Sequence, residues 1–189
     1  MKFAKIIRVL TVAPIMALMT LCTLFIFRPT LFGGALNFIL AIVFLTVLPL
    51  LAYPLQPVVP HFKDKGREGQ RNLAMIFAVS GYILGCLTNL FLKAPSSLWL
   101  IYLIYLISGI LILIINKLFK LRASAHACGV AGPAALLAYL GVPAAIFPGI
   151  VLYLAALWAS LKMKRHTLPQ FIGGAIIPLC VLVFLHFTI

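Results

Sequence analysis

Long apolar runs alternate with short basic segments along this chain. Seven apolar stretches occupy residues 1–27, 31–51, 73–92, 98–116, 124–140, 144–160 and 168–189. Most reach the roughly 20 residues that an α-helix needs to cross a bilayer, and alternating ten-residue segments of the membrane-barrel type are absent. The pattern predicts an all-α fold, a polytopic transmembrane helical bundle. We expect seven spans, or six if the second or the fifth stretch re-enters.

Composition agrees with a membrane protein and adds little chemistry. The chain is 65% hydrophobic and 9% charged, whereas soluble domains carry about 25% charged residues. We therefore expect residues 1–189 to form a single integral membrane domain. None of the cysteines has the spacing of zinc ligands or of a disulfide framework, so we expect structural thiols, no metal and no cofactor. The four are Cys22, Cys86, Cys128 and Cys180.

The net charge of +13 comes from 15 Lys and Arg against two acidic residues. The cations lie in short loops between apolar runs, where membrane topology places them, so nucleic-acid binding is not expected. With seven spans, 13 of the 15 fall on the side of the N-terminus, and only Arg28 and Lys93 fall on the other. Because positive loops stay inside, we expect a prokaryotic plasma-membrane protein with a cytoplasmic N-terminus.

Two basic segments, each at the start of an apolar run, carry the candidate chemistry. Each combines cations with one histidine, and Thr167 is placed to cap the last helix, with Pro169 in its first turn. Both predicted helices run away from the same membrane face. The first segment contains Lys117, Lys120, Arg122, Ser124 and His126; the second contains Lys162, Lys164, Arg165, His166 and Gln170.

Two helix N-termini surrounded by cations favour an anion, and phosphate in particular. Two histidines there could divide the roles of nucleophile and general acid. Asp64 and Glu68 are the only carboxylates in the chain, too few for a typical magnesium-dependent diphosphate site, so a metal-independent mechanism is easier to build. The alternative is that both histidines are interfacial residues without a ligand.

These segments resemble the type 2 phosphatidic acid phosphatase superfamily, whose motifs are K-x6-R-P, P-S-G-H and S-R-x5-H-x3-D. Ser124-Ala125-His126 matches the S-G-H portion, and His166 matches the histidine of the third motif. Gly173-Gly174-Ala175 then resembles the small-residue run that follows that histidine in the family. The resemblance covers about residues 117–178. It departs from the motifs at three points. The matched residues have no Arg-Pro pair, Ser160 stands where the third motif has arginine, and Gln170 stands where that motif has aspartate.

The resemblance implies a membrane phosphatase of lipid phosphates or diphosphates, such as phosphatidic acid or a polyprenyl diphosphate. His166 would form a phosphohistidine, His126 would protonate the leaving group and Gln170 would orient His166. The alternative is a catalytically silent relative that binds or transports anionic lipids. In either case the partner is a membrane lipid. The residues expected to bind its phosphate are Lys117, Lys120, Arg122, Ser124, Lys162 and Arg165.

Overall fold

The structure, a computed structural model, describes residues 1–188. Over these residues it is helical, without a strand, so the predicted all-α fold is confirmed. A π-helical turn at Val43–Val47 joins the helices Ala35–Ile42 and Leu48–Leu55, and 3₁₀ turns lie at Pro29–Phe32, Lys63–Lys65 and Pro143–Ala145. The helices are α1 (Lys2–Leu10), α2 (Ala13–Phe27), α3 (Ala35–Ile42), α4 (Leu48–Leu55), α5 (Gly66–Leu92), α6 (Ser96–Lys117), α7 (Ala125–Tyr139), α8 (Ile146–Lys162) and α9 (Leu168–His186).

Helix length supports five or six of the seven expected spans. Over the described residues, five helical segments are long and apolar enough to cross a membrane, and α1 with α2 would add a sixth despite a bend of 51° between them. The 15 residues of α7 extend only about 22 Å at 1.5 Å per residue, less than the hydrocarbon core of about 30 Å. A count of seven stays a prediction. The five segments are Ala35–Leu55, Lys63–Leu92, Ser96–Lys117, Pro143–Lys162 and Leu168–His186.

The first apolar stretch is two helices and not one continuous helix, which its prediction as a single span implied. Pro14 lies in the first turn of α2, where its missing N–H costs nothing. In a continuous helix that N–H would bond to the carbonyl of Leu10, so the chain breaks before Pro14. Thr11 occupies the break, with its hydroxyl donating to the Ile7 carbonyl at 2.7 Å. The bend turns α1 across the bundle.

The second apolar stretch, expected at residues 31–51, continues as helix to Leu55. Pro49 and Pro54 both lie within α4. Pro49 has no backbone N–H to donate, and the wider π-helical turn that precedes α4 tolerates the missing hydrogen bond. Thr46 in that turn donates to the Pro14 carbonyl at 3.2 Å. The polar segment that follows is also not all loop, because α5 already begins at Gly66.

Helix α7 lies inside the bundle, in contact with α2, α6, α8 and α9. Its small residues allow close packing, and Gly129 lies directly against Ala13 of α2. Hydrogen bonds tie α7 to α9 at both ends: the Ser124 N–H donates to the Gln170 carbonyl at 2.9 Å, and Tyr139 Oη pairs with His186 Nδ1 at 2.9 Å. The two helices therefore run side by side in the same direction. We call the end where both begin the site end.

Candidate functional site

Ser124 and Gln170 join the beginnings of α7 and α9 at the site end. Ser124 is fully buried, and its hydroxyl oxygen accepts the N–H of Ala127 at 3.2 Å, the contact made by an N-cap serine. One turn beyond Gln170, Gly174 packs directly on the Ser124 backbone. The two basic segments therefore meet at this junction. The contact predicted between the Ser124 hydroxyl and phosphate stays a prediction, since that oxygen caps α7.

His126 lies in the first turn of α7 and is half-buried. Its Nε2 is 2.9 Å from the hydroxyl oxygen of Thr11, which is itself 2% exposed. The single hydroxyl proton of Thr11 goes to the Ile7 carbonyl, so Thr11 accepts and His126 Nε2 donates. The neutral ring therefore carries its lone pair on Nδ1. This assignment leaves Nδ1 as the atom with which His126 can exchange a proton.

His166 lies in the loop between α8 and α9, immediately before the capping residue Thr167. Its Nδ1 is buried and has no hydrogen-bond partner among the described residues. Burial lowers the pKa of His166 below its ordinary value, and the positive charge of Arg8 lowers it further, while nearby Gln170 and the Arg122 carbonyl act in the opposite direction. The ring is therefore neutral at pH 7, the form that a nucleophilic histidine needs.

The structure brings the two histidines together. His166 lies within electrostatic range of His126, and Arg8 lies within electrostatic range of both rings. The site end thus places one ring from α7 and one from the loop before α9 beside a cation from α1. This is the arrangement that the sequence predicts for the histidines, and it adds an arginine that the sequence analysis did not assign to the site.

Arg8 and Arg165 meet around Ser160, near the end of α8. Arg8 Nη1 donates to Ser160 Oγ at 3.4 Å, and the backbone N–H of Arg165 donates to the Ser160 carbonyl at 3.0 Å. The two guanidinium groups lie within electrostatic range of each other, and Arg165 Nε is buried without a hydrogen-bond partner in the described chain. Arg8 therefore occupies the neighbourhood of Ser160, where the family resemblance places an arginine.

The other cations predicted to bind phosphate are exposed. Lys162 Nζ lies 4.9 Å from the ring centroid of Trp158, a cation–π contact that needs no ligand. Lys117 ends α6. Lys120 and Arg122 have positive φ angles of 55° and 54°, uncommon for residues with a Cβ. Their role in binding phosphate stays a prediction, as does that of Lys117 and Lys162.

Gln170 is the partner of the N-cap residue Thr167 at the start of α9. Its Oε1 accepts the Thr167 N–H at 3.2 Å, and the Thr167 side chain completes a capping box with the N–H of Gln170, so the predicted cap at Thr167 is confirmed. Gln170 also lies close enough to His166 to favour the charged ring, but its hydrogen bond goes to the backbone. The predicted orienting role of Gln170 stays a prediction.

No carboxylate lies within electrostatic range of Arg8 or of the two histidines in the part of the chain that the structure describes. Asp64 and Glu68 are both exposed, in the turn before α5 and in its first turn. Residues 1–188 also contain no group of three or more His, Cys, Asp or Glu side chains that could hold a metal ion. The cations of the site therefore have no protein counter-ion near them.

Three residues near this site were not assigned to it from the sequence: Arg8, Thr11 and Arg71, whose positive charge also lowers the pKa of His166. Lys2, Lys5 and Arg8 recur every three residues at the start of the chain, a spacing that places polar residues on one side of a helix and favours an amphipathic helix over a plain span. That signal was present in the sequence. It does not reveal that Arg8 is the member that faces the bundle.

Comparison of the chain with protein-family models, with curated proteins and with solved structures finds no match. The motif resemblance around residues 117–178 therefore rests on the residues alone.

Proposed function

We propose that this chain is an integral membrane protein that binds lipid phosphates or diphosphates at the site end and hydrolyses them through His166. One observation carries the proposal. Arg8, Arg165 and the two histidines converge without a carboxylate, and two of their nitrogens, Arg165 Nε and His166 Nδ1, are buried with no partner in the described chain. Buried polar groups normally have partners, and a phosphate oxygen would be a suitable acceptor for the Nε–H of Arg165.

The outer surface of the bundle supports the membrane part of the proposal. Large apolar side chains are exposed along successive turns of the long helices, whereas soluble monomers rarely expose contiguous apolar patches above a few hundred Å². The excess of cations in loops on one side supports a site end at the cytoplasmic face. The substrate phosphate would then lie at the level of lipid headgroups. Examples of this exposure are Ile110, Ile114, Ile150, Leu154, Ile172 and Ile176.

His166 and His126 have separate roles in the proposed hydrolysis. Neutral His166 attacks phosphorus, the bond from phosphorus to the ester oxygen breaks, and His126 gives that oxygen a proton. Water then attacks the phosphohistidine, loses a proton to His126 and releases phosphate. Because His126 Nε2 donates to Thr11, the acid form of His126 acts through Nδ1–H. An adjacent phosphate dianion favours this charged form of the ring.

Phosphate release from purified protein tests the proposal. A panel of lipid phosphates and diphosphates would be supplied in detergent without added metal, and we expect turnover that His166→Ala abolishes and His126→Ala lowers by about 10²–10⁴-fold, the usual contribution of general acid–base catalysis. His61→Ala is the matched control, because His61 is exposed and pairs with Lys65 outside the site. Turnover unchanged in His166→Ala would refute the nucleophile.

A second function, binding of anionic lipids without turnover, is favoured by the environment of His166. The neutral amide of Gln170 caps α9 through its oxygen, and no carboxylate is near to stabilise a charged ring. In a serine protease, replacing the carboxylate behind the catalytic histidine by an amide costs about 10⁴ in rate. Saturable binding of the same lipids with no phosphate release in the assay above would establish this second function.

A further inference from the structure

Helix α1 exposes large apolar side chains and turns one of its three cations, Arg8, towards the bundle. Phe3, Ile6 and Val9 are more than half exposed, whereas Ala4 is fully buried and Arg8 is half-buried against the bundle. An outward apolar side suits lipid. An inward arginine at the surface of a membrane needs a polar partner, because an isolated buried charge is costly.

The polar contacts that hold α1 all lead to the site. Arg8 donates to Ser160 at 3.4 Å, and Thr11, at the end of the helix, accepts from His126 at 2.9 Å. Away from the site, Phe3 packs edge-on against Trp158 with ring centroids 6.2 Å apart. The hydroxyl of Ser160 is a neutral partner for a guanidinium that has five N–H donors. Arg8 is therefore held at the site with most of its donor capacity unused by that contact.

We propose that Arg8 is a phosphate-binding residue that acts as a pair with Arg165, so that α1 forms one side of the substrate site. This inference rests on the proposed function. Arg8 reaches Ser160 with its guanidinium from α1, and Arg165 bonds to Ser160 through its backbone N–H from the loop after α8. The two guanidinium groups lie within electrostatic range of each other and could grip different oxygens of one phosphate. Arginine suits this role because its planar fork matches phosphate oxygens bidentately. Phosphate would also relieve the repulsion between two cations that lack a counter-ion.

Inorganic phosphate provides the probe, with binding measured as the rise in thermal unfolding temperature of the purified full chain at constant ionic strength. We expect Arg8→Gln to weaken phosphate binding about 10- to 100-fold, the effect of losing hydrogen bonds to a charged group. Lys5→Gln is the matched control, since it removes the same charge from the exposed side of α1. It should bind phosphate like the unchanged protein.

Moving the guanidinium group to a neighbouring residue distinguishes a phosphate-binding role of Arg8 from a structural one. Ser160 is the residue that Arg8 touches, so the double variant Arg8→Gln/Ser160→Arg should recover part of the phosphate affinity. A purely structural Arg8 predicts no recovery. If Arg8→Gln does not fold, Arg8→Lys decides, because it keeps the charge and loses the fork: weaker binding with unchanged stability in the absence of phosphate supports the inference, and unchanged binding overturns it.

The remaining outcomes distinguish this inference from the proposed function. Equal loss of binding in Arg8→Gln and Lys5→Gln would make the effect one of general surface charge and overturn the role of Arg8. Unchanged phosphate binding and turnover in Arg8→Gln would overturn it as well, while leaving the phosphatase in place. An unchanged protein that neither binds inorganic phosphate nor releases it from lipid phosphates would refute both.

Discussion

Gly174 allows the two histidine-bearing segments to meet, and adding one methyl group there should separate them. A Cβ at Gly174 would lie 2.2 Å from the carbonyl oxygen of Ser124 and 2.9 Å from its backbone N and C. These are backbone atoms, which cannot rotate away. The same Ser124 N–H donates to Gln170. Gly173 is a matched control, because a Cβ there meets nothing within 4 Å.

The magnitude follows from these contacts. Gly173→Ala should raise the free energy of unfolding by about 0.5–1 kcal/mol, the usual gain from replacing a helical glycine. Gly174→Ala has the same gain but adds overpacking of about 1–3 kcal/mol and weakens a hydrogen bond worth about 0.5–1.5 kcal/mol. We expect a net loss of about 0.5–4 kcal/mol. Relieving the overlap requires a shift of about 1 Å, which can cost about 10²-fold in rate at a catalytic site.

Thermal unfolding and phosphate binding of the two purified variants, measured side by side in detergent, test this reasoning. Gly173→Ala should unfold at or above the temperature of the unchanged protein and bind inorganic phosphate equally well. Gly174→Ala should unfold earlier and bind phosphate more weakly, since the starts of α7 and α9 move apart. Equal unfolding temperatures for the two variants would show that the α7–α9 junction is not closely packed. A less stable Gly174→Ala with normal phosphate binding would show that the junction does not position the site.

Two further predictions concern His166. Burial and Arg8 lower the pKa of His166 in the folded protein, so the unfolded chain binds a proton at this ring before the folded chain does as the pH falls. The unfolding temperature should therefore drop below about pH 6.5. His166→Gln should reduce that drop, and an unfolding temperature with the same pH dependence as in the unchanged protein would contradict the lowered pKa. Gln170→Asp should raise phosphate release, since a carboxylate one turn along α9 favours the charged ring formed during transfer. Gln170→Asn, which shortens the side chain without adding charge, is the control for the second prediction, and equal turnover in both variants would count against it.

The sequence predicted helix positions correctly where a long apolar run was bounded at both ends by charged or polar residues. The predicted fourth span, residues 98–116, corresponds to α6 at Ser96–Lys117, and the fifth, residues 124–140, to α7 at Ala125–Tyr139. Apart from the start of α5, which lies at Gly66 and not near residue 73, the misplaced boundaries lie at prolines. Whether Pro14 softens a helix or starts one, and whether Pro49 ends one or follows a π-helical turn, depends on neighbouring helices that accept the altered backbone. A single sequence does not contain that information.

The candidate site was predictable in its histidines and in Arg165, and not in Arg8. His126 and His166 each precede an apolar run at the same predicted face, so helix direction alone brings them to one end of the bundle. Arg8 lies in a pattern that membrane orientation already explains, beside Lys2 and Lys5. Only the packing of α1 across α8 turns Arg8 inward while Lys2 and Lys5 stay exposed. Tertiary contacts between elements about 150 residues apart, such as Arg8 with Ser160, leave no local signal.

The choice between enzyme and silent binder depends on what accepts the proton of His166 when its ring becomes charged. With Gln170 Oε1 bonded to the Thr167 N–H, Nδ1 has no acceptor among the described residues. The capping bond is worth about 1 kcal/mol, whereas a hydrogen bond from a charged ring is worth about 1.5–3 kcal/mol. If phosphate charges or phosphorylates the ring, we therefore expect Gln170 to leave Thr167 and to accept from Nδ1. Capping and orienting would then be alternative states of one side chain, and the charge on His166 would select between them.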